Sequence, residues 1–255
     1  MPAPEDPVRT DLPRRGPWTF AYAPGTHRFE LQTEAVVEAL TASVVDTITS
    51  VIVLAYDIRS MSDGFRVDGR VESFGVSGVT GEMNAGVDQL PIEFSMAIDS
   101  LGRLSEFSSP DTSTCGSPSA ALLASARELL VLPPHTLDLT TTWTDSTSSI
   151  VCRGDIPIVT EARREHRVSG TVALRDRRAV RMLRRSTVTI SGASTRPTQV
   201  VRVTGSGTAD AEFFLDPVSG RFLGGTSRST ADISFDAASR REHFRQHVRQ
   251  TITPL

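Results

Sequence analysis

"EFFLDPVSGRF", residues Glu212–Phe222, runs from an apolar stretch into Asp216, crosses a Pro-Val-Ser spacer, and leaves through Gly220-Arg221 into a second apolar stretch. An aspartate can accept hydrogen bonds from backbone amides ahead of it in a turn, and glycine takes positive φ without a steric penalty. The stretch therefore predicts a strand ending at Asp216, a tight turn, and a return strand beginning at Arg221. "FSMAIDSLGRL", Phe94–Leu104, repeats the phrase with Asp99, Gly102 and Arg103 in the same order and a spacer one residue shorter. Two hairpins built alike predict two similar antiparallel units that face each other or continue one curved sheet.

The flanking sequence has the matching period. In "FRVDGRVE", Phe65, Val67 and Val71 alternate with Arg66, Asp68, Arg70 and Glu72, as in a half-buried strand. Ile52, Leu54, Tyr56 and Ile58 share one face of the preceding segment, and Asp63-Gly64 between the two segments is a hairpin signal. The apolar phase shifts to Phe74 and Val76, which predicts a bulge near Glu72–Gly75. Further strands are expected at Thr140–Cys152, His166–Leu174, Arg185–Ser191, Gln199–Thr204, Asp210–Leu215, Arg221–Phe235 and Phe244–Ile252. Turns are expected at Gly170, Gly192, Gly205/Gly207 and Gly220.

One helix is legible at 117–132: Ser117 caps it, Pro118 suits its first position, and Leu122, Ala126, Leu129 and Leu130 form an apolar stripe before Pro133-Pro134. No βαβ alternation appears, which disfavours a parallel sheet. The expected fold is all-β and mainly antiparallel: a duplicated curved sheet, a β-sandwich or a half-barrel, with one covering α-helix. Residues 1–17 read as an extended Pro/Arg arm. Residues 18–255 read as one β domain of two halves, 18–115 and 139–255, joined by that helix.

Composition narrows the function classes. The chain has 255 residues and is 38% hydrophobic, enough for a core; its net charge of −3 argues against nucleic acid as a partner. No apolar run approaches the length of a membrane span, and the acidic, Pro-rich start lacks the apolar region of a signal peptide. The chain is thus expected either in the cytoplasm or, with a leader removed, outside it. All 27 basic residues are arginine. Cys115 and Cys152 lie in loop-like settings, where a disulfide, buried unpaired thiols and a reactive thiol are all open. The even count favours the disulfide, which would place the protein extracytoplasmically.

Catalytic and metal-binding patterns are sparse. No nucleophile elbow or phosphate-binding loop appears, and the Gly-Ser-Gly at 205–207 reads as a turn. His243 and His247 stand four apart, a spacing that could hold a metal if Glu242–Gln250 formed a short helix but is too wide for simple chelation on a strand; His27, His135 and His166 stand singly. The reading is a non-enzyme with no catalytic residue, metal site or cofactor. The most uneven charge falls between Arg163 and Arg185, where nine arginines stand against Glu165 and Asp176. An exposed strand pair with alternating arginines explains this run. So does a docking face for acidic protein loops or anionic lipid headgroups, comprising Arg163, Arg164, Arg167, Arg177, Arg178, Arg181, Arg184 and Arg185, with Arg14 and Arg15 of the arm.

With its Asp–Gly hairpins at Asp99–Gly102 and Asp216–Gly220, the layout resembles secreted lipoprotein carriers of the LolA/LppX type. That resemblance spans roughly residues 18–252 and carries over no functional residue. The Arg-only composition and missing enzyme signature also look like those of membrane-extrinsic accessory subunits of bacterial reaction-centre and light-harvesting photosystems. The second resemblance implies a structural subunit bound to other polypeptides of a membrane complex, on its periplasmic or extracytoplasmic face. The first implies a periplasmic carrier or binding protein for a lipophilic ligand.

Overall fold

A computed structural model of the chain describes residues 10–12, 17–19, 22–42, 44–78, 90–99, 104–108, 136–153, 156–174, 177–194, 200–237 and 240–255. The strands are β1 (Thr10–Leu12), β2 (Trp18–Thr19), β3 (Gly25–Ala39), β4 (Val44–Met61), β5 (Gly64–Ser77), β6 (Ile92–Asp99) and β7 (Leu104–Ser108). They continue as β8 (Thr136–Leu137), β9 (Thr142–Arg153), β10 (Ile156–Leu174), β11 (Arg177–Ala193), β12 (Val201–Leu215), β13 (Phe222–Ala237) and β14 (Arg240–Pro254). The expected all-β, antiparallel class holds. The helix expected at 117–132 lies outside the described residues.

Twelve strands make one antiparallel sheet ordered β1-β10-β11-β12-β13-β14-β3-β4-β5-β6-β7, with β9 pairing β10 as well. Strand β11 takes one edge of β10, so β9, opposite Ile156–Arg167, and β1, opposite Thr171–Ala173, lie end to end along the other. The segment 1–17, expected to be an arm without periodicity, therefore contributes a short strand. Among the described residues the sheet is not closed into a barrel. Its two sequence halves meet where β14 pairs β3, so they continue one sheet.

The hairpin phrase does what its chemistry predicts. In the β12–β13 turn the Asp216 Oδ1 accepts from the amides of Val218 (2.8 Å) and Ser219 (3.1 Å), and Gly220 sits at φ 69°. The Asp216 amide donates to the Arg221 carbonyl at 2.8 Å, closing the hairpin. Burial raises the Asp216 carboxyl, but these amide bonds and the Arg177 charge outweigh burial and leave it below the usual carboxylate range. Asp216→Ala should cost about 1 kcal/mol, as for other modest exposed hydrogen-bond losses, measured by urea denaturation; no change would deny the turn this role. Strands β6 and β7 also pair as a hairpin, although residues 100–103 of that turn lie outside the described set.

The Asp63-Gly64 hairpin joins β4 to β5, and a Cβ on Gly64 would fall 2.1 Å from the Ile98 carbonyl oxygen. The expected bulge is present: Val53 opposes Ser73 and Leu54 opposes Val71, leaving Glu72 extra. A second bulge leaves Ser169 extra on β10, and Gly170 at φ 144° belongs to it rather than to a turn. Gly192, Gly205 and Gly207 also lie inside strands, not turns. The two short strands expected at Gln199–Thr204 and Asp210–Leu215 are one strand, β12.

The largest buried cluster lies on one face, here the inner face. It joins Leu54 and Tyr56 of β4, Val67 and Val71 of β5, and Met96 of β6 to Val180 and Met182 of β11 and Phe213 of β12. Trp18 and Leu137, from the small β2–β8 pair, belong to it too. A smaller cluster of Val172, Leu174, Ala179 and Phe214 lies on the outer face, which the Ser169 bulge makes available to β10 by reversing its alternation.

Candidate binding face

The long strands run well past the buried cluster, toward the end of the sheet marked by Ala39 of β3, Ala193 of β11 and Ala237 of β13. There the two faces differ sharply in chemistry. The registers that carry Met182 and Phe213 inward also carry Val188 and Ile190 of β11 inward, with Gly205, Gly207 and Ala209 of β12 beside them. The next strands add Ala231 and Ile233 of β13, then Phe244 and Val248 of β14. These residues are half-buried and lie outside both buried clusters.

The glycines set the relief of this strip. A Cβ on Gly207 would lie 2.5 Å from the Thr230 carbonyl oxygen, and one on Gly205 would lie 2.7 Å from that of Asp232. Strands β12 and β13 are thus pressed too closely for a side chain at either position. The result is a low apolar floor between the taller Val188 and Ile190 on one side and Ile233 and Phe244 on the other. From β10 to β4 this part of the inner face crosses seven strands, roughly 29 Å at ~4.8 Å per interval, and it also carries Gln246 of β14 and Asp46 of β4.

The outer face of the same strands presents Thr, Ser and paired charges. Arg185 meets Asp210 at 3.2 Å and Arg245 meets Asp232 at 2.9 Å; Arg241 pairs with Asp236. His243 and His247, also outward, bond the hydroxyls of Ser234 (2.9 Å) and Thr230 (3.1 Å). Among the described residues no group of His, Cys, Asp and Glu is arranged to hold a metal ion. An outer-face groove of about 540 Å³ over β4–β6 is lined by Asp57, Asp68, Arg70 and Glu93, and Arg59 bridges Asp57 and Asp68 at 2.6 and 3.7 Å. Ala55, Tyr56 and Phe94 line it as well, and Asp57 and Asp68 are already paired with Arg59.

Between the core and the apolar strip, the inner face carries two rows of polar side chains. Register places Trp143, His166 and Arg184 in one row, and Asp145, Arg164 and Ser186 in the next. His166 is 1% exposed and Arg164 8%. Arg164 Nε donates to Asp145 Oδ1 at 3.0 Å, and His166 Nε2 donates to the same oxygen at 3.3 Å. The Trp143 ring stacks on His166 at 4.8 Å and 4°, and the Arg184 guanidinium lies 5.1 Å over Phe213. Burial raises the Asp145 carboxyl, but the His166 hydrogen bond and the charges of Arg164, His166 and Arg184 overcome it and hold the group below its ordinary value. Buried cations are costly unless paired or used, which makes this the strongest candidate site on the described molecule.

Alternation divides the arginines that the sequence grouped together. Arg163, Arg167, Arg177, Arg181 and Arg185 lie on the outer face, where Arg181 donates to Ser169 Oγ at 2.9 Å. Arg164, Arg178 and Arg184 lie on the inner face. Arg14, Arg15 and Cys115 fall outside the described residues, and Cys152 is placed only as a β9 backbone position opposite Pro157. His166, read from sequence as solitary, is central to the inner cluster. The missed signal was spacing on two strands at once: Trp143-x-Asp145 on β9 against Arg164-x-His166 on β10.

Among the described residues no helix is long and apolar enough to cross a membrane. No protein-family model matches the chain, and no curated protein matches it.

Proposed function

We propose that the protein is a carrier or binding protein for a lipophilic ligand, which lies on the apolar inner face of the sheet. One observation carries this reading: beyond two polar rows the inner face becomes mostly apolar again, over a floor of Gly205, Gly207, Ala209 and Ala231, with Gln246 and Asp46 as its inward polar residues on β14 and β4. Contiguous apolar surface on one face, with a polar opposite face, marks a binding surface. The competing reading, a subunit docked through an arginine strip, needs those arginines on one surface. They alternate between two, and Arg181 and Arg185 on the outer one already face carboxylates. The carrier reading assigns no catalytic residue.

Titration with the neutral fluorescent probe N-phenyl-1-naphthylamine tests it. Saturable binding is expected, with Ile190→Arg weakening it at least tenfold, since burying an arginine against hydrocarbon is unfavourable. Thr189→Arg, one residue along and on the opposite face, should leave binding unchanged. An absence of saturable binding, or equal loss in both variants, would remove the proposal.

A further inference from the structure

We infer that the ligand is an anionic amphiphile, its head group held at Arg164, Arg184 and His166 and its hydrocarbon lying along the apolar strip. This rests on the carrier reading and adds to it the chemical class of the ligand.

Position comes first. The polar rows are contiguous with the strip: on β10, Arg164 is followed inward by Ala162, and on β11, Ser186 is followed by Val188. Inward-facing residues on one strand are about 7 Å apart, and neighbouring strands about 4.8 Å. A head group over Arg164 and Arg184 therefore places the first carbons of an attached chain over Ala162, Val188 and Gly207. On the other side of the polar rows lies the closed core of Val168, Met182 and Phe213, so the chain has one direction to run.

Charge comes second. Among the described residues, these two rows contain two arginines and one carboxylate, before any charge on His166. Asp145 is turned partly to solvent, with 45% of its side chain exposed, while the side chains of Arg164 and His166 are 9% and 2% exposed. An anion entering from the strip meets two guanidinium groups on adjacent strands, and charge-assisted hydrogen bonds to the planar arginine head suit carboxylate or phosphate geometry. Among the described residues the outer face offers no equivalent, because its arginines are interleaved with acids and stand among Thr and Ser.

Carboxylate and phosphate head groups share this chemistry, and the alkyl chain separates both from a free anion. The experiment compares cis-parinaric acid with its methyl ester on the full chain, and adds acetate and inorganic phosphate as competitors. The acid should bind at least tenfold tighter than the ester, and millimolar acetate or phosphate should not displace it. Arg184→Met keeps an apolar stem against Phe213; it should bring the acid to within about threefold of the ester while leaving ester affinity intact. Arg164→Met should act likewise, and Arg184→Lys should retain the preference for the acid. Equal binding of acid and ester by the unmodified protein would overturn the inference yet leave the carrier reading standing. Displacement by free phosphate would overturn it in favour of a simple anion site. Failure of both probes to bind would overturn the carrier reading itself. A preference for the acid that survives in both methionine variants would place the head group elsewhere.

Discussion

Replacing Tyr56 by alanine is expected to lower the unfolding free energy by about 3–5 kcal/mol, the range for truncating large buried aromatic side chains. Tyr56 is 1% exposed. Its ring packs against Phe29 at 5.9 Å and edge-on to Phe94 at 6.0 Å. Those two extend the row to Phe107 and to Phe222, and Phe222 in turn reaches Phe213 on β12. Rings from both sequence halves thus meet in one chain, and Tyr56 stands in its middle. Removing that ring opens a cavity that sheet strands cannot easily close, since each is fixed by its ladder on both sides. The phenol is also held protonated by burial, well above its ordinary pKa, so the loss should be insensitive to pH across the neutral range. Urea denaturation with Tyr56→Phe alongside separates ring from hydroxyl: the phenylalanine variant should lose no more than about 1.5 kcal/mol. A loss below about 1 kcal/mol for Tyr56→Ala would mean that the two halves do not depend on a common core.

Legibility in the sequence tracked how local each cause was. The β12–β13 turn depends on Asp216 and Gly220 bonding within a few residues, and its phrase could be read directly. The Glu72 bulge was likewise visible as a change of apolar phase within one strand. Gly205 and Gly207 were misread as a turn because glycine is a common punctuation residue. Their actual cause lies across the sheet, in the closeness of Thr230 and Asp232 on β13. The strands β10 and β11 are longer than expected for a related reason. The far half of β10, residues 156–165, and the core half of β11, residues 177–184, carry arginines on both faces, which blurs the period of two that marks a half-buried strand.

The candidate site failed to appear for the most general reason. Trp143, Asp145, Arg164, His166 and Arg184 come from three strands, and only the β9–β10–β11 register brings them together. Read along the chain, the arginines of 163–185 form a single block of charge. Strand alternation then sends Arg163 and Arg185 outward and Arg164 and Arg184 inward. Charge density was legible from composition, but the face on which each charge acts was not.

The second large effect is expected from Asp145→Asn, which keeps the shape of the side chain and removes its charge. Arg164 and His166 would then share a neutral acceptor while remaining buried. Breaking a largely buried pair by neutralising one member costs 3–5 kcal/mol when both groups are dry. Asp145 is nearly half exposed, so water screens part of the loss and about 2 kcal/mol is the expected figure. The pH dependence gives the stronger test. The folded carboxyl ionises below its ordinary value, so its stabilisation is complete above the unfolded pKa of about 3.9 and drains away as pH falls through the folded one. The native protein should therefore lose more stability than Asp145→Asn in the acid limb below about pH 4, and the two curves should converge there. A constant gap down to the lowest pH would show that Asp145 acts by packing, not by charge. If the inner arginines do receive an anionic head group, cis-parinaric acid should raise the melting temperature of Asp145→Asn more than that of the native protein. The bound anion would then supply the negative charge that the substitution removed.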